Sequence, residues 1–248
     1  MGSTQRNSAA LAAGAAWVAA RAVHRVAGRT RATAEEAGRA VPGDDIITDP
    51  TTVWNRGITI AARPVDVWPW LVQMGYGRAG FYAPEWVDRF LWRVPATNSS
   101  VLLPHLQDLV VNDIVADGPD FMAYWRVRIV DPPWALVYWT LRHPWRGAPV
   151  DPTDPEALAR RERGLVAGGT YVECSWGFYL NELTGGRTRL VIRTRAISSP
   201  AWLRRMPYGL VDAYLSHAEL NNIKRRVEQP GGRRASYPTP LADTAATP

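Results

Sequence analysis

The stretch TYVECSWGFYLNELTGGRTRLVIRTR, residues 170–195, consists of two alternating segments joined by TGGR. One side of each segment is mostly apolar: Val172, Cys174, Trp176, Phe178, Leu180, Leu190, Ile192, Thr194 and Ala196. The other side is mainly polar, and its clearest members are Glu173, Ser175, Arg189, Arg193 and Arg195. A period of two predicts β-strands, and the paired glycines predict a tight turn. The stretch therefore predicts a long antiparallel hairpin with one apolar and one solvated face.

Outward from this hairpin, further strands are predicted at 53–61, 113–116, 121–131 and 134–143, because apolar residues alternate there or run continuously. Helical spacing predicts short helices at 64–74 and 83–92 and a long helix at 201–227, whose start Pro207 kinks or delays. The order is strand, two short helices, a run of strands and one long helix. This order predicts an α+β protein with its helices on one side of a curved antiparallel sheet.

The segment QMGYGRAGFY contains Gly75, Gly77 and Gly80, the G-x-G-x-x-G spacing of dinucleotide-binding loops. That loop requires a preceding strand and a following helix. Here helical spacing precedes the glycines, with Pro64 suited to a first helical turn. We therefore predict a turn between two helices rather than a nucleotide site, with Gly75 at the end of the first helix.

The charge of this 248-residue chain is concentrated at its ends. Residues 1–39 contain six Arg and two Glu, and residues 224–248 contain five basic and two acidic residues, so the body is close to neutral. A nucleic-acid reader usually carries its basic stripe on the folded domain, so no nucleic-acid partner is expected. Cys174 is the only cysteine, which excludes an intrachain disulfide and fits a reducing, cytoplasmic compartment.

The chain is predicted to contain one domain, residues 53–228, with flanking segments. Residues 1–40 form an Ala/Arg-rich leader with a helix at about 9–28, and 41–52 form a linker. The leader helix is either loosely attached or a basic amphipathic helix in peripheral contact with an anionic membrane. Residues 144–168 are predicted to be a charged surface loop with one helical turn, or a lid, and 229–248 a disordered tail.

Three stretches carry a resemblance to a known superfamily: ITIAARPVDVWPWLVQMG (58–75), VRIVDPPWALVYW (127–139) and the hairpin at 170–195. They resemble the START-like, helix-grip superfamily, also called SRPBCC, over about residues 51–228. LVQMGYGRAGFY and PGDD are similar to its polyketide cyclase-like, actinobacterial-type branch. The resemblance implies a curved sheet that grips a long C-terminal helix around a cavity, with 75–80 as the turn between the two short helices.

Candidate site residues lie on the strands, the turn and the long helix that would surround this cavity. The predicted ligand-binding residues are Trp125, Trp139, Trp176, Phe178, Thr194, Met206, Leu210, Tyr214, His217, Tyr76 and Phe81. His217 and Tyr214 are also candidate acid/base residues. A lone histidine on an apolar helix face is more often a hydrogen-bonded core residue, and this is the favoured interpretation of His217. Asp88, Asp212 and Glu219 are expected to face solvent, which leaves few acids for catalysis.

Three functions fit the sequence. The first is binding or carriage of a small apolar or aromatic ligand, such as a lipid, isoprenoid or polyketide. The second is a cyclase or dehydratase-like enzyme using the same cavity, and the third a membrane-surface or protein-interaction module with a filled core. The four histidines lack metal-binding spacing, so neither a metal nor a cofactor is expected. Ligand identity and oligomeric state stay open.

Overall fold

The computed structural model describes Arg21, Arg25 and residues 28–92, 98–205 and 208–230. The predicted leader helix, apart from those two arginines and its last residue, lies outside the described residues, as do Met206, Pro207 and most of the predicted tail. Among the described helices, none is long and apolar enough to cross a membrane.

The chain forms an α+β fold around one six-stranded antiparallel sheet with the order β1-β6-β5-β4-β3-β2. The strands are β1 Thr52–Ile60, β2 Ile114–Ala116, β3 Tyr124–Asp131, β4 Ala135–Arg142, β5 Tyr171–Leu183 and β6 Arg187–Ser199. The predicted hairpin is confirmed, because β5 pairs with β6 over its whole length from Tyr171–Ser199 to Leu183–Arg187. Phe121, predicted to begin a strand, instead ends a short 3₁₀ turn, Pro119–Phe121.

Strand register defines two faces of the sheet. Trp176 lies opposite Thr194 and Tyr138, so these three side chains share one face, here called the inner face. Arg193 and Trp139 lie one residue away on their strands and therefore belong to the outer face. The main buried core fills the space between the inner face and the helices.

Four α-helices are described: α1 Ala34–Gly38, α2 Pro64–Val72, α3 Pro155–Ala167 and α4 Tyr208–Glu228. The predicted helix at 83–92 is present as a helical segment that includes the π-helix Val87–Trp92. The glycines follow α2, as predicted, and Gly75 and Gly80 close a turn through two backbone hydrogen bonds of 3.1 and 3.0 Å. Both have positive φ, 138° and 74°, and a Cβ at Gly75 would lie 2.5 Å from Val115.

The buried stripe of α4 differs from the prediction. It runs through Ala213, Ser216, Glu219, Leu220, Ile223 and Val227, which recur at steps of three and four residues. The predicted stripe through Leu210, Tyr214 and His217 is half-buried and lies beside it. The prediction followed the largest side chains, whereas the helix buries a stripe that includes a serine.

The outer face of β6 is covered, so the prediction of a solvated arginine face is wrong. Arg193 is 4% exposed and donates to Asp44 Oδ2 at 2.7 Å, and Arg189 pairs with Glu36 at 2.7 Å. Ile47 is 2% exposed. Residues 28–47 thus pack on the sheet, and the predicted free linker at 41–52 is a docked segment in its first half.

The predicted loop at 144–168 contains the 13-residue helix α3, which Asp154 caps at its N-terminus. Glu162 accepts hydrogen bonds from Tyr124 Oη at 2.8 Å and Arg126 Nη2 at 2.9 Å. Leu158 is buried. The helix is longer than the predicted single turn because its cap and its contacts with β3 stabilise additional turns.

Candidate functional site

Five aromatic side chains meet on the inner face and are here called the aromatic cluster: Phe81, Trp125, Tyr138, Trp176 and Phe178. The Trp176 ring is central, with centroid distances of 4.6 Å to Phe178, 5.0 Å to Trp125, 5.9 Å to Tyr138 and 6.0 Å to Phe81. Strands β3, β4 and β5 position four of the rings, and the turn after α2 contributes Phe81. Four of the predicted ligand-binding residues are therefore brought together.

Burial varies across the aromatic cluster. Phe178 is 0% and Tyr138 1% exposed, whereas Phe81, Trp125 and Trp176 are only partly buried although they pack against the core. Partial burial leaves part of each of these three rings in contact with solvent. The cluster therefore has a closed end at Phe178 and Tyr138 and an accessible end at the other three rings.

Arg142 lies beside the accessible end. Its guanidinium carbon is 4.6 Å from the Trp125 ring centroid, a cation–π contact. It also forms an ion pair with Asp117 and donates from Nε to Thr140 Oγ1 at 3.1 Å. Its Nη2 is buried and has no hydrogen-bond partner in the described part of the chain. An oxygen of a bound molecule could accept from this nitrogen.

A line of three polar residues on α4 faces the core between this helix and the inner face of the sheet. Asp212, Ser216 and Glu219 are spaced by four and three residues, which places them on one side of the helix. Ser216 Oγ donates to Asp212 Oδ1 at 3.4 Å, and Glu219 is 5% exposed. The prediction that both acids face solvent is therefore wrong. Asp88, on the helical segment at 83–92, is half-buried, and burial raises its pKa.

The electrostatics of this line reflect its burial. Burial raises the pKa of Asp212 to about 6, against a smaller lowering by the positive charge of Arg56. Burial and the nearby charge of Asp212 raise the pKa of Glu219 well above its usual range. Burial also raises the pKa of the Cys174 thiol on the inner face to about 12, so this thiol is a poor nucleophile.

The two predicted acid/base residues lie on the flanks of α4. Tyr214 Oη accepts from Trp86 Nε1 at 3.0 Å, and their ring centroids are 5.8 Å apart. His217 Nδ1 is 3.1 Å from Thr30 Oγ1, and burial followed by the charges of nearby arginines lowers its pKa. These contacts are with partners outside the aromatic cluster, so they do not bring Tyr214 and His217 together with its rings.

The remaining predicted ligand-binding residues do not all lie on the inner face. Thr194 is almost fully buried beside Trp176 on the inner face. Trp139 points to the outer face, where its Nε1 donates to Glu173 Oε1 at 2.9 Å; its strand is apolar on both sides, so alternation could not assign the face. Leu210 and Tyr76 are half-buried outside the cluster contacts, and Met206 lies outside the described residues.

Sequence reasoning missed four residues of this region: Tyr138, Arg142, Asp212 and Glu219. The available signal was the spacing of Asp212, Ser216 and Glu219, which repeats the helical period. Tyr138 was recognised as a strand residue, but only its pairing with Trp176 shows that it joins the aromatic cluster.

We expect Asp212→Asn to stabilise the protein at pH 8 and to leave its stability unchanged near pH 4. The folded-state pKa of about 6 lies above the unfolded value, so the charged form is disfavoured in the folded state once the pH passes that value. One pKa unit corresponds to about 1.4 kcal/mol, so the gain should reach about 3 kcal/mol at most. Urea unfolding at both pH values measures it, with exposed Asp45→Asn as control. An equal change at both pH values would refute the electrostatic explanation.

In the described ranges, no group of three or more His, Cys, Asp or Glu side chains is arranged to hold a metal ion. No protein-family model matches the sequence, and no curated protein matches it.

Several solved structures are similar. A protein from Arthrobacter aurescens, solved by NMR, is 16% identical with a TM-score of 0.40, over 72% of this chain and 87% of that one. A hypothetical protein from Helicobacter pylori is 10% identical with a TM-score of 0.41, over 78% and 98% of the two chains. A protein from Chromobacterium violaceum is 14% identical with a TM-score of 0.39, over 72% and 98%. None of these names states a function, so function must be inferred from the site.

Proposed function

We propose that the protein binds or carries a small apolar ligand, such as a lipid, isoprenoid or polyketide-like molecule, between the inner face of the sheet and α4. The observation that carries this proposal is the aromatic cluster with one closed and one accessible end. Ring faces contact flat or unsaturated carbon skeletons, while a few polar groups fix orientation. The START-like, helix-grip assignment belongs to the same proposal and is supported by the sheet and its long C-terminal helix.

The energetics of such a site are sufficient for useful affinity. A ligand that buries about 500 Å² of apolar surface, counted on both the ligand and the protein, gains about 12 kcal/mol at about 25 cal/mol per Å². Loss of translational and rotational freedom offsets part of this gain. Affinity in the micromolar range is therefore a reasonable expectation for a probe that contacts the rings without matching every polar group.

The test uses N-phenyl-1-naphthylamine, an uncharged probe whose fluorescence increases in apolar surroundings. We expect saturable binding to the wild type and at least a tenfold loss of affinity in Trp176→Ala. Trp139→Ala is the matched control, because it removes the same side chain from the outer face of the neighbouring strand. We expect its affinity to change less than twofold.

Two results would contradict ligand binding at this site. A wild type that never binds the probe would favour the alternative of an interaction module with a filled core. Equal losses in Trp176→Ala and Trp139→Ala would place the probe elsewhere. A native mass spectrum of freshly purified protein adds the identity of any ligand that is retained.

A cyclase or dehydratase-like activity is the second candidate. The buried carboxyl groups of Asp212 and Glu219 favour it, because raised pKa values suit proton transfer near neutral pH. In this second candidate function, Asp212 and Glu219 take the acid/base role that the sequence predicts for His217 and Tyr214. A bound polyketide-like compound recovered chemically unchanged after long incubation would favour carriage over catalysis.

A further inference from the structure

Tyr138 Oη and Glu219 Oε1 are two of the buried side-chain oxygens that have no hydrogen-bond partner among the described residues. Buried polar groups in folded proteins are nearly always paired, and leaving one unpaired destabilises the folded state. Resting on the proposed function, we propose that these two groups act as hydrogen-bond donors to one uncharged oxygen of the ligand, a ketone carbonyl or a hydroxyl group.

Tyr138 provides the fixed side of this arrangement. Its ring is held by Phe178 at 6.3 Å and Trp176 at 5.9 Å between centroids, and the residue is 1% exposed. A buried tyrosine hydroxyl usually finds a partner. Because its ring belongs to the aromatic cluster, a ligand lying on that cluster would place its own polar atom within reach of this hydroxyl.

Glu219 approaches from the helix side. On one flank of α4, Asn222 Nδ2 donates to Tyr82 O at 2.6 Å, and on the other Lys224 Nζ donates to Thr59 O at 2.7 Å. Glu219 lies on the buried stripe between these anchors. Asn222, one turn after Glu219 on α4, contacts Tyr82, and the neighbouring Phe81 belongs to the aromatic cluster, so this side of the helix lies next to the cluster.

The surroundings of Glu219 favour its protonated, donating form. Burial, followed by the charge of Asp212 on the same helix, raises its pKa. The positive charges of Arg56, Arg78 and Arg226 act on Asp212, Tyr138 and Tyr82 respectively. No ion pair to Glu219 occurs within the described ranges. Two neutral donors suit the lone pairs of an uncharged oxygen, as in apolar sites where a protonated acid and a tyrosine bind a carbonyl.

The test compares 2-acetylnaphthalene with 2-isopropylnaphthalene, which has a similar shape but no oxygen, as competitors of N-phenyl-1-naphthylamine. In the wild type we expect the ketone to displace the probe at a concentration about tenfold lower. Tyr138→Phe keeps the ring and removes the hydroxyl, so it should lose most of this preference while the hydrocarbon competes as before.

Substitutions of Glu219 test whether this residue acts as a hydrogen-bond donor or as a negative charge. Glu219→Gln retains a donor and should retain the ketone preference, whereas Glu219→Leu should lose it. In the wild type the preference should decline as the pH rises through the raised pKa of Glu219, and in Glu219→Gln it should not. Thermal unfolding of each variant verifies that it is folded.

The outcomes distinguish this inference from the proposed function. A bound probe with equal competition by ketone and hydrocarbon overturns the donor pair alone, and so does an unchanged preference in Tyr138→Phe. Stronger competition by 2-naphthylmethylamine or 2-naphthoate overturns it in favour of a charged ligand. Failure of the wild type to bind the probe overturns both.

Discussion

Arg193→Met is expected to lower the free energy of unfolding by about 3 kcal/mol. The guanidinium group is buried and donates to Asp44 Oδ2, Asn55 Oδ1 and the carbonyl oxygens of Glu36 and Ala37 at 2.7–3.1 Å. Removing one partner of a buried ion pair typically costs about 3–5 kcal/mol, because the other charge is left without compensation. The lower end applies because Asp44 is partly exposed and keeps a contact with Arg195 at 3.4 Å.

The same substitution should release the covering segment from the sheet. Residues 36–44 are held on the sheet by these polar contacts and by the packing of Val41 on the cluster of Ala135, Val137, Tyr179 and Val191. Without the Arg193 contacts, limited proteolysis should cut there sooner in the variant than in the wild type. Arg187→Met is the control, since Arg187 lies on the same strand but is exposed. Urea unfolding that shows equal, small effects for both substitutions would mean that the cover contributes little to stability.

This cover shows where sequence reasoning about the fold stops. The hairpin could be predicted because alternation with a period of two identifies both its strands and its faces. The arginines on the outer face of β6 resembled a solvated surface, since charged residues are rarely buried. Glu36 and Asp44 meet these arginines only because residues 28–47 pack over the outer face of the sheet. Such long-range pairing has no local signal.

The candidate site, like the fold, could be predicted only where the local sequence pattern is clear. Trp176 and Phe178 could be assigned to the inner face because their strand alternates cleanly. Trp139 could not, because β4 is apolar on both sides. On α4 the prediction followed bulky residues, whereas the buried stripe contains Ser216 and Glu219. Burying an acid costs stability, and residues kept in spite of such a cost often mark functional sites.

Phe178→Ala is expected to destabilise the protein by about 3–5 kcal/mol, the usual cost of truncating a fully buried aromatic side chain. Phe178 is 0% exposed and packs against both Trp176 and Tyr138. Its loss leaves a cavity that the rigid sheet cannot close. Chemical denaturation of the purified variant measures the effect.

Trp176→Ala, two residues away on the same face, should cost less than Phe178→Ala even though it removes a larger side chain. The Trp176 ring is only partly buried, so its truncation removes fewer protein contacts than the truncation of a fully buried ring. In a solid core the order would be reversed, because the larger ring would leave the larger cavity. A greater loss of stability in Trp176→Ala than in Phe178→Ala would therefore argue against a ligand-binding space at the aromatic cluster. The expected order, combined with loss of probe binding in Trp176→Ala alone, would place the ligand on that ring.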